Sequence, residues 1–186
     1  MKFQASEKYR KYLVHLNSSS ISGYVIWGTD MTDEEKDKLF LRHEKILVLR
    51  NLTNIRDELL LNTTFSDTDN FNKWVESNDV FKIYSKNDFT NMSDFSESSL
   101  NDRSIGKDLI NSINLIRDFA LQVDDRKLNQ CLDSEKMHFF FDYLYDEFFW
   151  KKRNEVDNKI NTQDIQTIAI ELREIWGLFS RKFLII

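Results

Sequence analysis

The sequence predicts an all-α protein, a single-domain bundle of about five to seven helices. Its 186 residues include no proline and only four glycines, so the usual signals for sharp turns and strand ends are nearly absent. Apolar residues also recur at spacings of three and four along most of the chain, as they do on one face of a helix. We therefore expect residues 1–186 to form one helical domain.

The N-terminal third predicts two helices with a break between them. The first is expected over about Ser6–Leu16, where tyrosines and leucines share one face. Serines and glycines then interrupt the pattern, and the aromatic and β-branched residues 24–27 indicate one possible short strand. Thr32 and Glu35 have the spacing of a capping box, which predicts a long helix that begins there and ends near residue 61.

The middle of the chain predicts short helices followed by a loop. Asp67 or Thr68 is expected to cap a helix, and a second short helical piece is expected around residues 80–84. Residues 85–103 are rich in serine, asparagine and aspartate, a composition typical of loops. Because so long a segment without secondary structure is uncommon in a compact domain, we expect a flexible loop at about 85–103.

The C-terminal half predicts the clearest helices. One is expected to run from Ser104 to Leu132 with a disturbance at residues 124–125, and the last is expected to begin at Thr162. Between them lies an aromatic helix, which Asp133 or Ser134 is expected to cap and in which eight of the twelve residues 139–150 are aromatic.

The aromatic helix allows two interpretations. It is either the buried centre of the bundle, or it presents tyrosine and tryptophan side chains that anchor a partner. Acidic residues interrupt its aromatic surface and could meet basic groups of that partner. The candidate binding residues are Asp142, Asp146, Glu147, Tyr145, Phe149 and Trp150.

The same helix contains the sharpest candidate for chemistry. Glu135, His138 and Asp142 lie three and four residues apart, so they share a face and are candidate ligands of a single metal ion. A carboxylate-bridged di-metal site would require a second Glu-x-x-His pair, but the positions three residues before His15 and His43 hold no glutamate. The alternative is an ordinary polar face turned to water.

A second enzymatic alternative concerns Arg10 and His15. Their spacing matches the arginine and histidine that cleave RNA in helical ribonucleases of the toxin and antiphage kind. A match of this sort is expected by chance in roughly one chain in two of this composition, so it indicates little by itself.

The composition limits the classes of function. A net charge of −5 disfavours binding to phosphate backbones, so no nucleic acid partner is expected. The single cysteine, Cys131, excludes a disulfide within the chain, and no apolar segment approaches the ~18 residues of a membrane span. Without a signal-peptide pattern, a cytoplasmic location is expected, and no sequence motif indicates a cofactor.

These observations favour a protein-protein interaction module over an enzyme. Most concretely, they suggest an immunity or antitoxin-like protein that binds and neutralises a cognate toxin or enzyme. The alternative is a helical-bundle enzyme that uses either the metal site at His138 or the Arg10 and His15 pair. A homo-oligomer that associates through its C-terminal helix is also compatible with the sequence.

Overall fold

The computed structural model describes residues 2–60, 64–150 and 160–186, with Phe149 described by its backbone alone. The fold is mixed α/β, with 56% of the described residues helical and 21% in strands, so the prediction of an all-α bundle is wrong. The described residues form one sheet of four strands and one of three. The chain divides into two compact units, which we call unit 1 (Met1–Asn87 with Lys182–Ile186) and unit 2 (Asp88–Arg181).

Unit 1 carries the strands. Its elements are α1 (Gln4–Tyr9), β1 (Lys11–Asn17), β2 (Ser22–Asp30), β3 (Lys36–Leu39), β4 (Leu41–Arg42), β5 (Lys45–Val48), α2 (Ile55–Leu59), α3 (Thr68–Glu76), β6 (Ile83–Asp88, ending on the first residue of unit 2) and, from the end of the chain, β7 (Phe183–Ile185).

Unit 2 carries the three longest of the described helices, α5 (Arg103–Gln122), α7 (Glu135–Tyr145) and α8 (Thr162–Phe179). Two short described helices are α4 (Thr90–Ser93), which precedes α5, and α6 (Arg126–Leu132), which lies between α5 and α7 in the sequence. A π-helical turn (Asp146–Trp150) continues α7. None of the described helices has the length and hydropathy needed to cross a lipid bilayer.

The predicted first helix ends early, and most of it is a strand. Arg10 follows α1 with a φ of 52°, and β1 then pairs antiparallel with β2, from Lys11 opposite Gly28 to Asn17 opposite Ser22. In the four-stranded sheet the order is β3-β2-β1-β6. Consecutive side chains of β1 such as Leu13 and Val14 are both buried. A strand buried on both faces does not alternate, so its apolar spacing can imitate that of a helix.

The predicted long helix from Thr32 to residue 61 is also wrong, because this region forms β3, β4, β5 and the five-residue α2. The presumed capping residue Thr32 instead donates two hydrogen bonds to the Asp30 carboxylate, from its backbone N and from Oγ1. Between β4 and β5, His43 and Glu44 both have positive φ, 53° and 60°. A type I′ hairpin turn requires this conformation, and the pair lacks the asparagine and glycine that usually signal it.

Other predictions agree with the structure. The possible strand at residues 24–27 lies inside β2. In unit 2, α8 begins at Thr162, and Asp124, with a φ of 50°, separates α5 from α6. The Oγ of Ser134 caps α7 by accepting a hydrogen bond from the N–H of Met137 at 3.1 Å. One part of these predictions is wrong: the last helix is expected to continue through Phe183, but it stops at Phe179, and Phe183 pairs in β7 with Ile46 of the parallel strand β5.

The segment predicted as a loop at 85–103 contains secondary structure. Its first residues complete β6, α4 follows, and a 3₁₀ turn at Glu97–Asn101 leads into α5. Phe89, Met92 and Phe95 in this segment are buried.

Each unit has its own packed interior. In unit 1, one face of the larger sheet contributes Leu13 and Ile26 to a cluster with side chains of α2 and α3. This cluster comprises Leu13, Ile26, Phe40, Leu47, Leu49, Ile55, Leu59, Phe65, Phe71, Trp74, Val75 and Val80. In unit 2, aromatic side chains of α8 pack on neighbouring segments. The rings of Phe179 and Phe119 of α5 lie 5.6 Å apart between centroids, and those of Trp176 and Phe89 stack at 5.0 Å between centroids.

Two helical glycines of unit 2 provide a matched test of this packing. A Cβ at Gly106 of α5 would lie 2.2 Å from Cε2 of Phe148, whereas a Cβ at Gly177 of α8 would meet nothing within 4 Å. We expect Gly177→Ala to raise the free energy of unfolding by about 0.5 to 1 kcal/mol, because alanine favours helix. Gly106→Ala should lower it by about 1 to 3 kcal/mol through overpacking. Urea denaturation followed by circular dichroism measures both, and equal stability of the two variants would contradict the packing described.

Candidate protein-interaction surface

Helix α7 has one buried face and one exposed face. Met137, Phe140, Leu144 and Phe148 are spaced by three and four residues and are each at most 5% exposed. The ring of Phe140 meets Phe95 edge-on at 5.2 Å, and Arg103 Nη2 donates to the carbonyl of Phe148 at 3.0 Å. The aromatic segment is therefore not a fully buried central helix, since only one side of it packs into unit 2.

The exposed face combines aromatic and acidic side chains. Phe139 is 52% exposed and Trp150 is 74% exposed. Between and beside them Glu135, Asp142 and Asp146 are also exposed. We call these five residues the α7 stripe. They are spaced by four, three, four and four residues, which places them along one side of the helix and its π-helical turn.

The carboxylates of the α7 stripe have no ion-pair partner in the part of the chain that the structure describes. Within the described residues, neither Glu135, Asp142 nor Asp146 lies within 4.0 Å of a cationic nitrogen. The neighbouring Lys136 is occupied elsewhere, in an ion pair with Asp164 of α8 that lowers the pKa of that carboxyl. As far as the described residues go, the stripe thus presents unpaired carboxylates beside two large aromatic side chains.

The other candidate binding residues have different environments. The hydroxyl of Tyr145 accepts a hydrogen bond from Asn114 Nδ2 at 3.2 Å, and its ring packs edge-on against Phe141 at 4.8 Å. Tyr145 and Glu147 are half-buried. The side chain of Phe149 falls outside the described part of the structure. Asp142, Asp146 and Trp150 are the sequence-selected residues that the structure exposes together.

The candidate metal ligands lie on the same helix. Glu135, His138 and Asp142 are all exposed, and Nε2 of His138 is 3.7 Å from Oδ1 of Asp133. Over the described ranges, no group of three or more histidine, cysteine, aspartate or glutamate side chains has an arrangement that could hold a metal ion.

Arg10 and His15 do not lie on one helix. Arg10 ends α1, and its Nη1 pairs with Oε2 of Glu35 at 2.8 Å. His15 belongs to β1, where its ring contacts Tyr24 and its Nε2 is 3.4 Å from Oγ of Ser22. Five residues along a strand separate the two by roughly 16 Å, so the structure does not bring them to one reacting atom.

A buried ionic network in unit 1 was not predicted. Lys11 is fully buried, and its Nζ donates to Oδ2 of Asp67 at 2.8 Å and to the carbonyl of Thr29 at 2.6 Å. The Asp30 side chain, also fully buried, accepts from Lys38 Nζ at 2.9 Å. Because Lys11 falls in the predicted first helix, its sequence context offered no signal that it would be buried.

Burial governs the electrostatics of this network. It lowers the pKa of Lys11, and the hydrogen bond to Asp67 opposes that effect. For Asp30, burial alone would raise the pKa, but hydrogen bonds from Lys38, Ser66 and Thr32 outweigh it and hold the pKa well below its usual range. Lys11, Asp30 and Asp67 are buried, and their contacts tie β1 and β2 to the start of α3.

Comparisons with known proteins identify the fold but not the activity. No protein-family model and no curated protein sequence matches the chain. Among solved structures, the chain is similar to the crystal structure of the C-terminal domain of SatS in complex with bromine, with a TM-score of 0.65 and 9% sequence identity. The likeness covers 97% of this chain and 96% of that one. At this identity the two share a fold, and nothing further follows.

Proposed function

We propose that this protein is a protein-protein interaction module whose α7 stripe binds a basic segment of a partner. The observation that carries the proposal is the exposure of Trp150 and Phe139, 74% and 52%, beside carboxylates that have no ion-pair partner in the described residues. Two large aromatic side chains on one helix face are an apolar surface that binding could cover.

The chemistry of the stripe selects for lysine and arginine. An ammonium or guanidinium group can lie over the face of Trp150 or Phe139, where the ring quadrupole attracts it. The same group can pair with Asp142 or Asp146. The apolar stems of lysine and arginine cover aromatic surface while their charges stay near the carboxylates. Tryptophan is among the residues that most often dominate binding energy at interfaces.

The net charge of −5 supports a basic partner, because opposite charge speeds association and disfavours acidic competitors. A toxin or enzyme with a basic active site would present such a segment. A cytoplasmic location, which the sequence favours, would put the interaction inside the cell.

The test compares capture of partners by three tagged proteins in extract of the native source: the natural chain, Trp150→Ala and the control Ile170→Ala. Ile170 is 61% exposed on α8, so the control also removes an exposed apolar side chain of unit 2. We expect a partner that Ile170→Ala retains and Trp150→Ala loses, with affinity for the purified partner reduced by about 2 kcal/mol or more.

A photo-crosslinker at position 146 then identifies the contacting segment, which should contain several lysines or arginines. Asp142→Asn with Asp146→Asn should slow association and reduce its dependence on salt. A partner that Trp150→Ala binds as well as the natural chain, or a crosslinked segment that is acidic, would contradict the proposal.

A further inference from the structure

We infer that the segment bound by the α7 stripe is a basic amphipathic α-helix that packs antiparallel to α7. This inference rests on the proposed function and adds the shape and the charge spacing of the partner. It follows from the positions of the three carboxylates and two aromatic side chains along one continuous helical rod.

The carboxylates set two distances along α7. Asp142 and Asp146 are four residues apart, about 6 Å along the axis, and Glu135 and Asp142 are seven residues apart, about 10.5 Å. A second helix with cations at positions i, i+4 and i+11 repeats both distances. An extended strand places side chains on one face every ~6.8 Å, so it matches the first distance but is about 4 Å too short or about 3 Å too long for the second.

The aromatic side chains fall into the same register. When a partner helix runs antiparallel, with position i opposite Asp146, Trp150 faces position i−4 and Phe139 faces position i+7. Positions i−4, i, i+4, i+7 and i+11 share one face of a helix. A single amphipathic face can therefore supply apolar contacts at both aromatic side chains and cations at all three carboxylates.

The ends of α7 favour the antiparallel direction. Its N-terminus, capped by Ser134, carries the positive end of the helix dipole. An antiparallel partner brings its negative C-terminal end to that place. At the other end, the π-helical turn continues the exposed face to Trp150, so the stripe extends over about four helical turns. Turns of this type occur frequently at functional sites.

The experiment uses three fluorescent alanine-rich peptides, each with three lysines and two leucines. In the first, the lysines stand at positions i, i+4 and i+11 and the leucines at i−4 and i+7. In the second, the same residues are distributed around the helix. The third repeats the first with two internal prolines, which prevent helix formation. Fluorescence anisotropy gives the dissociation constant of each for the full chain, Trp150→Ala and Ile170→Ala.

We expect the first peptide to bind at least tenfold more tightly than the other two. Trp150→Ala should remove this preference, and Ile170→Ala should keep it. Equal, Trp150-dependent binding of the first and third peptides would overturn the helical partner while leaving the proposed function in place. No binding by any peptide, or equal effects of the Trp150 and Ile170 substitutions, would count against the proposed function itself.

A charge reversal tests the direction. Asp142→Lys should raise the dissociation constant of the first peptide at least fivefold. A peptide with glutamate at position i+4 should bind this variant about as tightly as the first peptide binds the natural chain. Recovery by glutamate at i+7 but not at i+4 would show a parallel partner and overturn the antiparallel arrangement. Because Asp142 is exposed and has no ion-pair partner in the described residues, the substitution should leave the fold intact, which circular dichroism checks.

Discussion

Replacement of Lys11 by methionine should lower the free energy of unfolding by about 3 to 5 kcal/mol. The Lys11 side chain is 0% exposed and Asp67 is 2% exposed, so removal of the ammonium leaves a buried carboxylate without its counter-charge. After the substitution, Asp67 keeps one hydrogen bond, from the backbone N of Met31 at 3.2 Å. Urea denaturation followed by fluorescence measures the loss, and hydrogen exchange of β1 and β2 amides locates it.

A double-mutant cycle separates the ion pair from simple loss of packing. Asp67→Asn removes the stranded charge, so Lys11→Met with Asp67→Asn should be less destabilised than the sum of the single changes. The control is Lys36→Met on β3, whose side chain is 56% exposed and pairs with exposed acids. It should change stability by less than about 0.5 kcal/mol. If the losses in free energy of unfolding of the two single variants simply add in the double variant, the stabilising role of the buried ion pair is contradicted.

Asp30→Asn should both weaken unit 1 and reduce its sensitivity to acid. The Asp30 carboxylate accepts hydrogen bonds from Ser66 N at 2.7 Å and Lys38 Nζ at 2.9 Å, together with two from Thr32. Asparagine at position 30 replaces one carboxylate oxygen by an amide NH₂ group, a donor that would face the donors of Lys38, Ser66 or Thr32. We expect a loss of about 2 to 4 kcal/mol at pH 7, measured by urea denaturation.

The pH dependence follows from the direction of the pKa shift. Because the pKa of Asp30 is lower in the folded state, the unfolded chain takes up the proton more readily, and protonation favours unfolding. The contribution of Asp30 is complete above its unfolded pKa of about 4 and declines as the pH falls towards the folded value. In Asp30→Asn, stability should therefore decline less steeply below pH 4.

Asp33→Asn is the matched control for this measurement. Asp33 also pairs with Lys38, at 2.8 Å, but its side chain is 39% exposed. The change should have a small effect on stability at pH 7, because exposed ion pairs contribute little. The pKa of Asp79 is also lowered: burial would raise it, but hydrogen bonds from Lys82, Ser6 and Ala5 outweigh that effect. Every variant should therefore keep the part of the acid sensitivity that comes from Asp79. An unchanged acid profile in Asp30→Asn would contradict the assignment.

Helices α5 to α8 of unit 2 could be predicted because their determinants are local. Ser134 and Asp125 cap the helices that follow them, and the apolar stripe of α8 repeats over five turns. A helix closes its hydrogen bonds within four residues, so capping and periodicity in a short window are sufficient to indicate it.

The strands of unit 1 could not be predicted in the same way. β1 exists because it pairs with β2, and β5 pairs with residues near the end of the chain, from Ile46 opposite Phe183 to Val48 opposite Ile185. The turn at His43 and Glu44 lacks the residues that usually permit positive φ. These strands form because they pair with segments distant in the sequence, so a local pattern of residues does not identify them.

For the candidate site, the sequence by itself determined the chemistry of α7: its aromatic content, its carboxylates and their spacings of about one and two helical turns. Only the tertiary structure decided which side of that helix faces water, leaving Phe139 and Trp150 exposed while Phe140 and Phe148 are buried. It also decided that Lys11 would be enclosed with Asp67, 56 residues away. Composition and short-range spacing are properties of the chain, whereas burial depends on which distant segments pack together, and a protein interior acquires its low dielectric only when they do.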